Sequence, residues 1–236
     1  MSAYGTLYLL PVGLGDCNLE DVLPKRNLDL VKTITYFIAE NAKESRAFLK
    51  QCAYPEISRA QLSLINQHVK TEELTSFLQP LIEGNNMGLM SDAGCPGIAD
   101  PGAEIIKLAH KKGIKVVPLV GPSSIVLSIM ASGFNGQNFA FNGYLPIDKV
   151  ERARKIKDLE NHCAKSKQAQ FFIETPYRNA NVFEDLLKTL QPNTLLLVAT
   201  HITLSDECIQ VKPISAWKKN IAPDFFKKPT VFGIYL

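Results

Sequence analysis

The run Met87-Gly88-Leu89-Met90 empties into a stretch crowded with Ser91, Asp92, Gly94, Pro96, Gly97, Asp100, Pro101 and Gly102. The apolar run is too short for a helix and suits a buried strand. The stretch after it suits neither helix nor strand. Its glycines open backbone conformations closed to other residues, and its prolines fix φ. In α/β sheets, small ligands bind against loops of this kind, at the carboxyl ends of strands.

Strand and helix signals alternate along most of the chain, so the expected fold class is α/β. Strands are expected at 6–11, 33–39, 87–91, 115–119, 139–141, 170–174, 195–200 and 231–235. Asp100 reads as the cap of a helix with Pro101 in its first position and Gly113 closing it. Thr175 and Pro176 repeat that start signal, and Asp148 with Glu151 reads as a capping box. Ser123 or Gly121 opens a helix over 125–132, which Gly133 ends. Capping alone accounts for Asp100 and Thr175. No repeat, biased tract or long linker marks a domain boundary.

The chain has 236 residues, 46% hydrophobic and 21% charged, which suits one large or two small globular domains. No apolar run approaches the roughly 18 residues of a membrane helix. The first residues lack a basic segment and a secretory apolar core. The expectation is a cytoplasmic protein with no membrane partner. Cys17, Cys52, Cys95, Cys163 and Cys208 include no C-x-x-C pair, so neither a disulfide frame nor a metal site is expected. The net charge of +3 does not announce nucleic acid by itself. However, Lys149, Arg152, Arg154, Lys155 and Lys157 cluster against Glu151 alone. Lys149, Arg152 and Lys155 would share a helix side, as a solvated face or as an RNA contact.

The loop Ser91-Asp92-Ala93-Gly94-Cys95-Pro96-Gly97-Ile98-Ala99-Asp100-Pro101-Gly102 is one of several motifs that occur in a familiar order. Before it stands Gly5-Thr6-Leu7-Tyr8-Leu9-Leu10-Pro11-Val12-Gly13. After it come Val117-Pro118-Leu119-Val120-Gly121-Pro122-Ser123-Ser124, Phe141-Asn142-Gly143-Tyr144-Leu145-Pro146 and Glu174-Thr175-Pro176-Tyr177-Arg178. Together they resemble the ribosomal RNA small-subunit methyltransferase I family, within the tetrapyrrole methylase superfamily of S-adenosylmethionine-dependent enzymes. The resemblance implies two α/β domains, 1–118 and 119–236, with a cofactor cleft between them. It also implies that S-adenosylmethionine contacts Pro11, Gly13, Gly15, Asp92, Ala93, Gly94, Cys95, Pro96, Gly97, Ile98, Ser123 and Ser124, with Ala199 and Thr200 on the adenine side. A homodimer is expected, and the region of Trp217, Phe225 and Phe226 is an expected part of its interface. Some relatives carry a helical C-terminal extension, which is expected to be missing because the chain stops at Leu236 directly after its last strand signal.

Gly13-Leu14-Gly15 lacks the third glycine of a phosphate-binding turn, so a dinucleotide is not expected. Cys95 stands where the family has Thr and reads as a small loop-filler, not a nucleophile. On the substrate side, Ala39-Glu40-Asn41-Ala42-Lys43-Glu44-Ser45-Arg46 resembles a family stretch C-E-D-T-R-H-T-R, keeping Glu40 and Arg46. Lys43 in place of Arg gives up a bidentate fork. Only His68 remains of a family H-E-H-N pattern. Glu174 and Arg178 survive from E-S-P-H-R, with Tyr177 in place of His, and Glu207 survives further on. Glu40, Arg46, Glu174 and Arg178 are the residues expected to handle substrate, the base among them not assigned. Arg178 could equally pair with Glu174 or Glu184. The implied activity is methyl transfer to RNA, at the 2′-oxygen of an rRNA ribose by resemblance. The alternatives are C-methylation of a tetrapyrrole and a non-catalytic S-adenosylmethionine-binding protein.

Overall fold

Near-continuous apolar strands imply a sheet covered on both faces, and the first half of the chain builds one. The computed structural model describes residues 4–65, 71–219 and 227–236. The chain divides into two units, Met1–Ser123 and Ser124–Leu236. In the first, β1 (Thr6–Leu9), β2 (Tyr36–Ala39), β3 (Gln61–Leu64), β4 (Met87–Leu89) and β5 (Lys115–Pro118) alternate with helices α1 (Lys25–Val31), α2 (Ala42–Gln51), α3 (Thr71–Ser76), α4 (Gln79–Ile82) and α5 (Gly102–Lys111). The sheet order is β3-β2-β4-β1-β5. Every pairing in it is parallel, with Leu7 opposite both Met87 and Val116, and Phe37 opposite Gly88.

Alternation along the strands sends successive side chains to opposite faces. Phe37 packs with Leu10, Met90, and Leu28, Val31, Phe48 and Leu49 of α1 and α2. Its neighbour Ile38 packs on the other face with Leu7, Leu89, Leu81 of α4, and Ile105 and Ala109 of α5. All five strands point the same way, so the loops after β1, β2, β4 and β5 emerge at one edge.

The second unit holds α6 (Ser124–Ser132), β6 (Phe139–Tyr144), α7 (Lys149–Ser166), β7 (Ala169–Glu174), α8 (Asn179–Thr189), β8 (Leu195–Thr200), β9 (Cys208–Pro213), α9 (Ile214–Trp217) and β10 (Thr230–Tyr235). Its sheet order is β6-β7-β10-β8-β9, with β6 and β7 parallel and the remaining pairings antiparallel. Glu174 lies opposite Thr230, and Thr230 opposite Thr200, so β7 and β8 end at the edge where β10 begins. Tyr144, opposite Ile173, brings the end of β6 to the same edge. The core on one face gathers Phe172, Phe232, Val198, Ile156, Leu159, Leu186 and Trp217. Phe172 and Phe232 stack with ring centroids 5.8 Å apart.

The α/β class is as expected, with local differences: α5 starts at Gly102 with Pro101, not Asp100, in the cap position, and three more follow. The strands β3 and β9 were not anticipated. Gln-Leu-Ser-Leu is short and lies at a sheet edge, while Ile209 and Val211 do alternate with polar neighbours, the usual mark of an edge strand. Helix α8 begins at Asn179, not after Thr175, because residues 175–178 form a turn closed by the Arg178 N–H on the Thr175 carbonyl. Trp217, expected at a surface, packs in the core of its unit. It is 1% exposed and donates its indole N–H to the Leu196 carbonyl at 3.0 Å. Phe225 and Phe226 lie outside the described residues. Among the described residues, no helix is long and apolar enough to cross a membrane.

Candidate functional site

At the carboxyl edge of the first sheet, three loops close on one another. The Val12 N–H donates to the Gly94 carbonyl at 3.0 Å, and the Gly94 N–H reaches the Gly13 carbonyl at 3.4 Å. This joins the loop after β1 to the loop after β4. The loop after β5 joins them through Cys95, whose thiol donates to the Pro122 carbonyl at 3.3 Å. Burial pushes that thiol's pKa up, which suits a filler and not a nucleophile. Gly94 adopts φ +73°, a left-handed conformation that favours glycine. Gly121 is required for a different reason: a Cβ there would sit 2.2 Å from the Pro11 Cβ. The Asp100 carboxylate accepts from the Gly97 N–H at 2.8 Å and the Gly102 N–H at 2.7 Å. It therefore ties the loop to the start of α5 from two residues back.

The three loops, 10–18, 90–101 and 119–123, contain no Lys or Arg but carry Asp16, Asp92 and Asp100. Ile98 and Val120 stand exposed among them, at 51% and 75%. Backbone polar groups, apolar surface and carboxylates without a cation suit a ligand with apolar parts and positive charge. They do not suit a phosphate.

Behind these loops lies a cavity of about 540 Å³ in the first unit. Val12 to Asp16, Met90 to Ala93, and Glu44, Ser45, Ala47, Phe48 and Gln51 of α2 line it. Asn41 positions that helix: its side-chain oxygen accepts from the Lys43 N–H at 2.9 Å and the Glu44 N–H at 3.4 Å. The Asp-to-Asn difference from the family pattern therefore leaves a good N-cap in place.

Glu40 stands between the end of β2 and α2, half-buried. Burial, then the charges of Asp100 and Asp92, push its carboxyl above the ordinary Glu range, against one backbone N–H that Asp92 donates. Burial, then the charge of Glu44, raises Asp92 as well.

The structure brings Pro11, Gly13, Gly15, Asp92 to Ile98 and Ser123 to this edge, with Glu40 beside them. Arg46 is exposed on α2. Ser124 opens α6 in the second unit, and Ala199 and Thr200 end β8 there, 1% and 2% exposed. The Thr200 hydroxyl donates to the Cys208 carbonyl at 3.3 Å. His68 lies outside the described residues. The loop-facing residues of α2, Ser45, Phe48 and Gln51, were not anticipated. Their types are ordinary for a helix, and only packing turns them toward the cavity.

The pairing of Arg178 with Glu174 is formed, and the expected exposure of Arg152 needs correction. Glu174 and Arg178 form a loop fastener. The Glu174 side chain is fully buried, accepts from the Thr175 N–H at 2.8 Å, and lies 3.0 Å from Arg178 Nη2 at an angle unlike a hydrogen bond. That same guanidinium nitrogen donates to the carbonyls of Leu145 and Pro146, at 3.1 and 3.0 Å. Arg152, expected on a basic face with Lys149 and Lys155, is instead buried. Its Nη2 lies 2.7 Å from Asp185 of α8, and its Nη1 donates to the carbonyls of Pro146 and Ile147 at 3.1 and 2.7 Å. Lys149, Arg154 and Lys155 remain exposed, and Lys157 pairs with Glu160 at 2.6 Å. Among the described residues, no cluster of three or more His, Cys, Asp or Glu residues is arranged to hold a metal.

No family model matches the chain. It is 32% identical over 222 residues to ribosomal RNA small subunit methyltransferase I of Vibrio cholerae, covering 94% of this chain and 73% of that protein. The proteins of that name from Escherichia coli O157:H7 and Xylella fastidiosa are 28% and 30% identical. They match 92% and 95% of this chain and 73% and 78% of their own length. Among solved structures, the methyltransferase CobJ is similar with a TM-score of 0.64 at 18% identity, over 99% of this chain and 94% of that one. The cobalt precorrin-4 methyltransferase CbiF gives 0.62 at 15%, over 98% and 94%. These two share the fold.

Proposed function

The chain belongs to the ribosomal RNA small subunit methyltransferase I family, and on that premise we propose that it transfers a methyl group from S-adenosylmethionine to RNA of the small ribosomal subunit. The observation that carries the donor half is the trio of interlocked loops after β1, β4 and β5. They offer backbone groups, exposed apolar residues and carboxylates, and no cation. S-adenosylmethionine carries an adenine, a ribose, a sulfonium, an ammonium and a carboxylate; the exposed apolar residues suit its adenine, and the carboxylates suit its positive groups. Bound, it supplies an electrophilic methyl group on sulfur.

The acceptor half rests on Glu40. A ribose hydroxyl is a weak nucleophile and gains from a positioned base. Glu40 is partly desolvated and its pKa is raised above the ordinary Glu range, which strengthens its carboxylate as a base at the Oε atoms. The loops orient the donor, and much of a displacement at carbon is such orientation. Lys149, Arg154 and Lys155 suit phosphates of the RNA. The 2′-oxygen of a ribose as acceptor, a homodimeric state and a cytoplasmic location belong to the same proposal.

Incubation with labelled donor and separate RNA, protein and tetrapyrrole pools tests it. Label is expected in small-subunit rRNA. Label in the tetrapyrrole pool would move the activity to carbon chemistry on a macrocycle. Saturable donor binding with no transfer to any pool would make the protein a sensor.

A further inference from the structure

In the second unit, the end of β6, the loops leaving β6 and β7, and the first turn of α7 carry an unusual surface. Tyr177 is 94% exposed, Ile147 82%, Val150 77% and Tyr144 54%. Isolated exposed apolar residues need no account, but four on adjoining segments do: Tyr144 at the end of β6, Ile147 and Tyr177 on the loops, and Val150 in the first turn of α7. Hydrogen bonds fasten the loops to each other and to α7. Arg178 donates from the second loop to the Leu145 and Pro146 carbonyls of the first, and Arg152 fastens Pro146 and Ile147 to α7. Two guanidinium anchors, Arg152 buried and Arg178 partly exposed, thus present aromatic and aliphatic side chains that stand largely in solvent.

Cations adjoin this patch. Val150 and Arg154 lie one turn apart on the same stripe of α7, and Lys149 stands beside them. Among the described residues, Lys149, Arg154 and Lys155 form no ion pair. The acids nearby are Asp148, Glu151 and Asp158, and the Asp148 carboxylate is engaged in capping α7 through the Val150 and Glu151 N–H groups, both at 2.9 Å.

We propose that Tyr144 and Tyr177, flanked by Lys149 and Arg154, are a stacking surface for unpaired bases of the RNA substrate. The inference rests on the RNA reading above and names a contact that reading does not include. Aromatic faces beside unpaired cations are the chemistry of single-strand recognition: bases stack on rings while phosphates meet the cations. Double-stranded RNA hides its base faces and gains nothing from Tyr177. A second copy of the chain is a poorer occupant. A two-fold contact through this patch would gather two sets of Lys149 and Arg154 into one interface.

Anisotropy of a fluorescein-labelled single-stranded oligoribonucleotide, and of its duplex, tests this on the full chain. Tyr177→Ala removes a side chain with almost no contacts, so the variant folds, and its melting temperature and S-adenosylmethionine affinity serve as controls. It is expected to bind the single strand about 5- to 100-fold more weakly. Tyr177→Phe is expected to bind as wild type, Tyr144→Ala to add a further loss, and duplex affinity to stay unchanged. Equal single-strand affinity of Tyr177→Ala and wild type would overturn the stacking surface while leaving RNA methylation standing. Loss of dimer in sedimentation by Tyr177→Ala, with RNA affinity intact, would assign the patch to a second copy and also overturn it. Wild-type protein that neither binds nor methylates RNA would remove the RNA reading together with this one.

Discussion

Gly121 and Glu40 show two ways in which one residue serves the proposed site. At Gly121 the constraint is space. An added Cβ would lie 2.2 Å from the Cβ and 2.7 Å from the Cγ of Pro11, so the loops after β1 and β5 would have to part. Overpacking of this kind costs about 1–3 kcal/mol. Gly121→Ala is therefore expected to weaken S-adenosylmethionine binding about tenfold by calorimetry, at roughly 1.4 kcal/mol per factor of ten. At Glu40 the constraint is electrostatic. Burial and the neighbouring Asp100 and Asp92 disfavour its ionised form, so it takes up a proton at higher pH than an ordinary Glu. A base must be ionised to act, so the rate is expected to fall as pH drops through that raised value. Glu40→Gln should lower turnover about 10²- to 10⁴-fold, abolish this acid limb in the pH–rate profile, and leave donor affinity nearly unchanged. Unaltered turnover would remove Glu40 from the reaction. The Cys95 thiol, which donates to the Pro122 carbonyl, illustrates a residue whose place in a signature loop is a packing role.

At the scale of elements, α7 is the instructive case. Its N-cap is local and behaves as its sequence implies, with Asp148 accepting from Val150 and Glu151. Its charge pattern does not. Arg152 turns inward to Asp185, donating to the same carboxylate oxygen from Nε at 2.8 Å and lying 2.7 Å from it through Nη2. That pair ties α7 to α8 and, through Pro146 and Ile147, holds the loop that ends β6. Removing one partner strands a buried charge. Asp185→Ala is expected to destabilise the protein by about 3–5 kcal/mol in denaturant unfolding, whereas joint replacement of Arg152 and Asp185 by apolar residues of similar volume should be near neutral. A loss under 1 kcal/mol for the single variant would mean that the pair is solvated. Glu174 and Arg178 do related work at the start of α8, where a buried carboxylate and a guanidinium fasten the turn that carries Tyr177.

Taken whole, the molecule pairs a parallel sheet with a largely antiparallel one, each with its own core. The parallel sheet gathers the loops after four strands at one edge, so a site assembled from residues far apart in the chain needs no further device. Exposed Lys149, Arg154 and Lys155 are expected to contribute to RNA affinity by counterion release. Replacing each with Ala should reduce the slope of log affinity against log salt by about one, while Arg152→Ala should lower stability and leave the slope alone. The glycine, proline and aspartate loops, the α/β class and the cap of α7 were legible in the sequence. Each depends on interactions spanning a few residues: a positive φ at Gly94, a fixed φ at a proline, a carboxylate two or three residues before its N–H donors. The edge strands β3 and β9, the inward turn of Arg152 and the raised carboxyl of Glu40 were decided only by the tertiary structure. Arg152 meets a partner 33 residues away, and Glu40 meets charges on another strand's loop. Burial and pairing at such distances follow from how sheets and helices pack, which no local run of residues encodes.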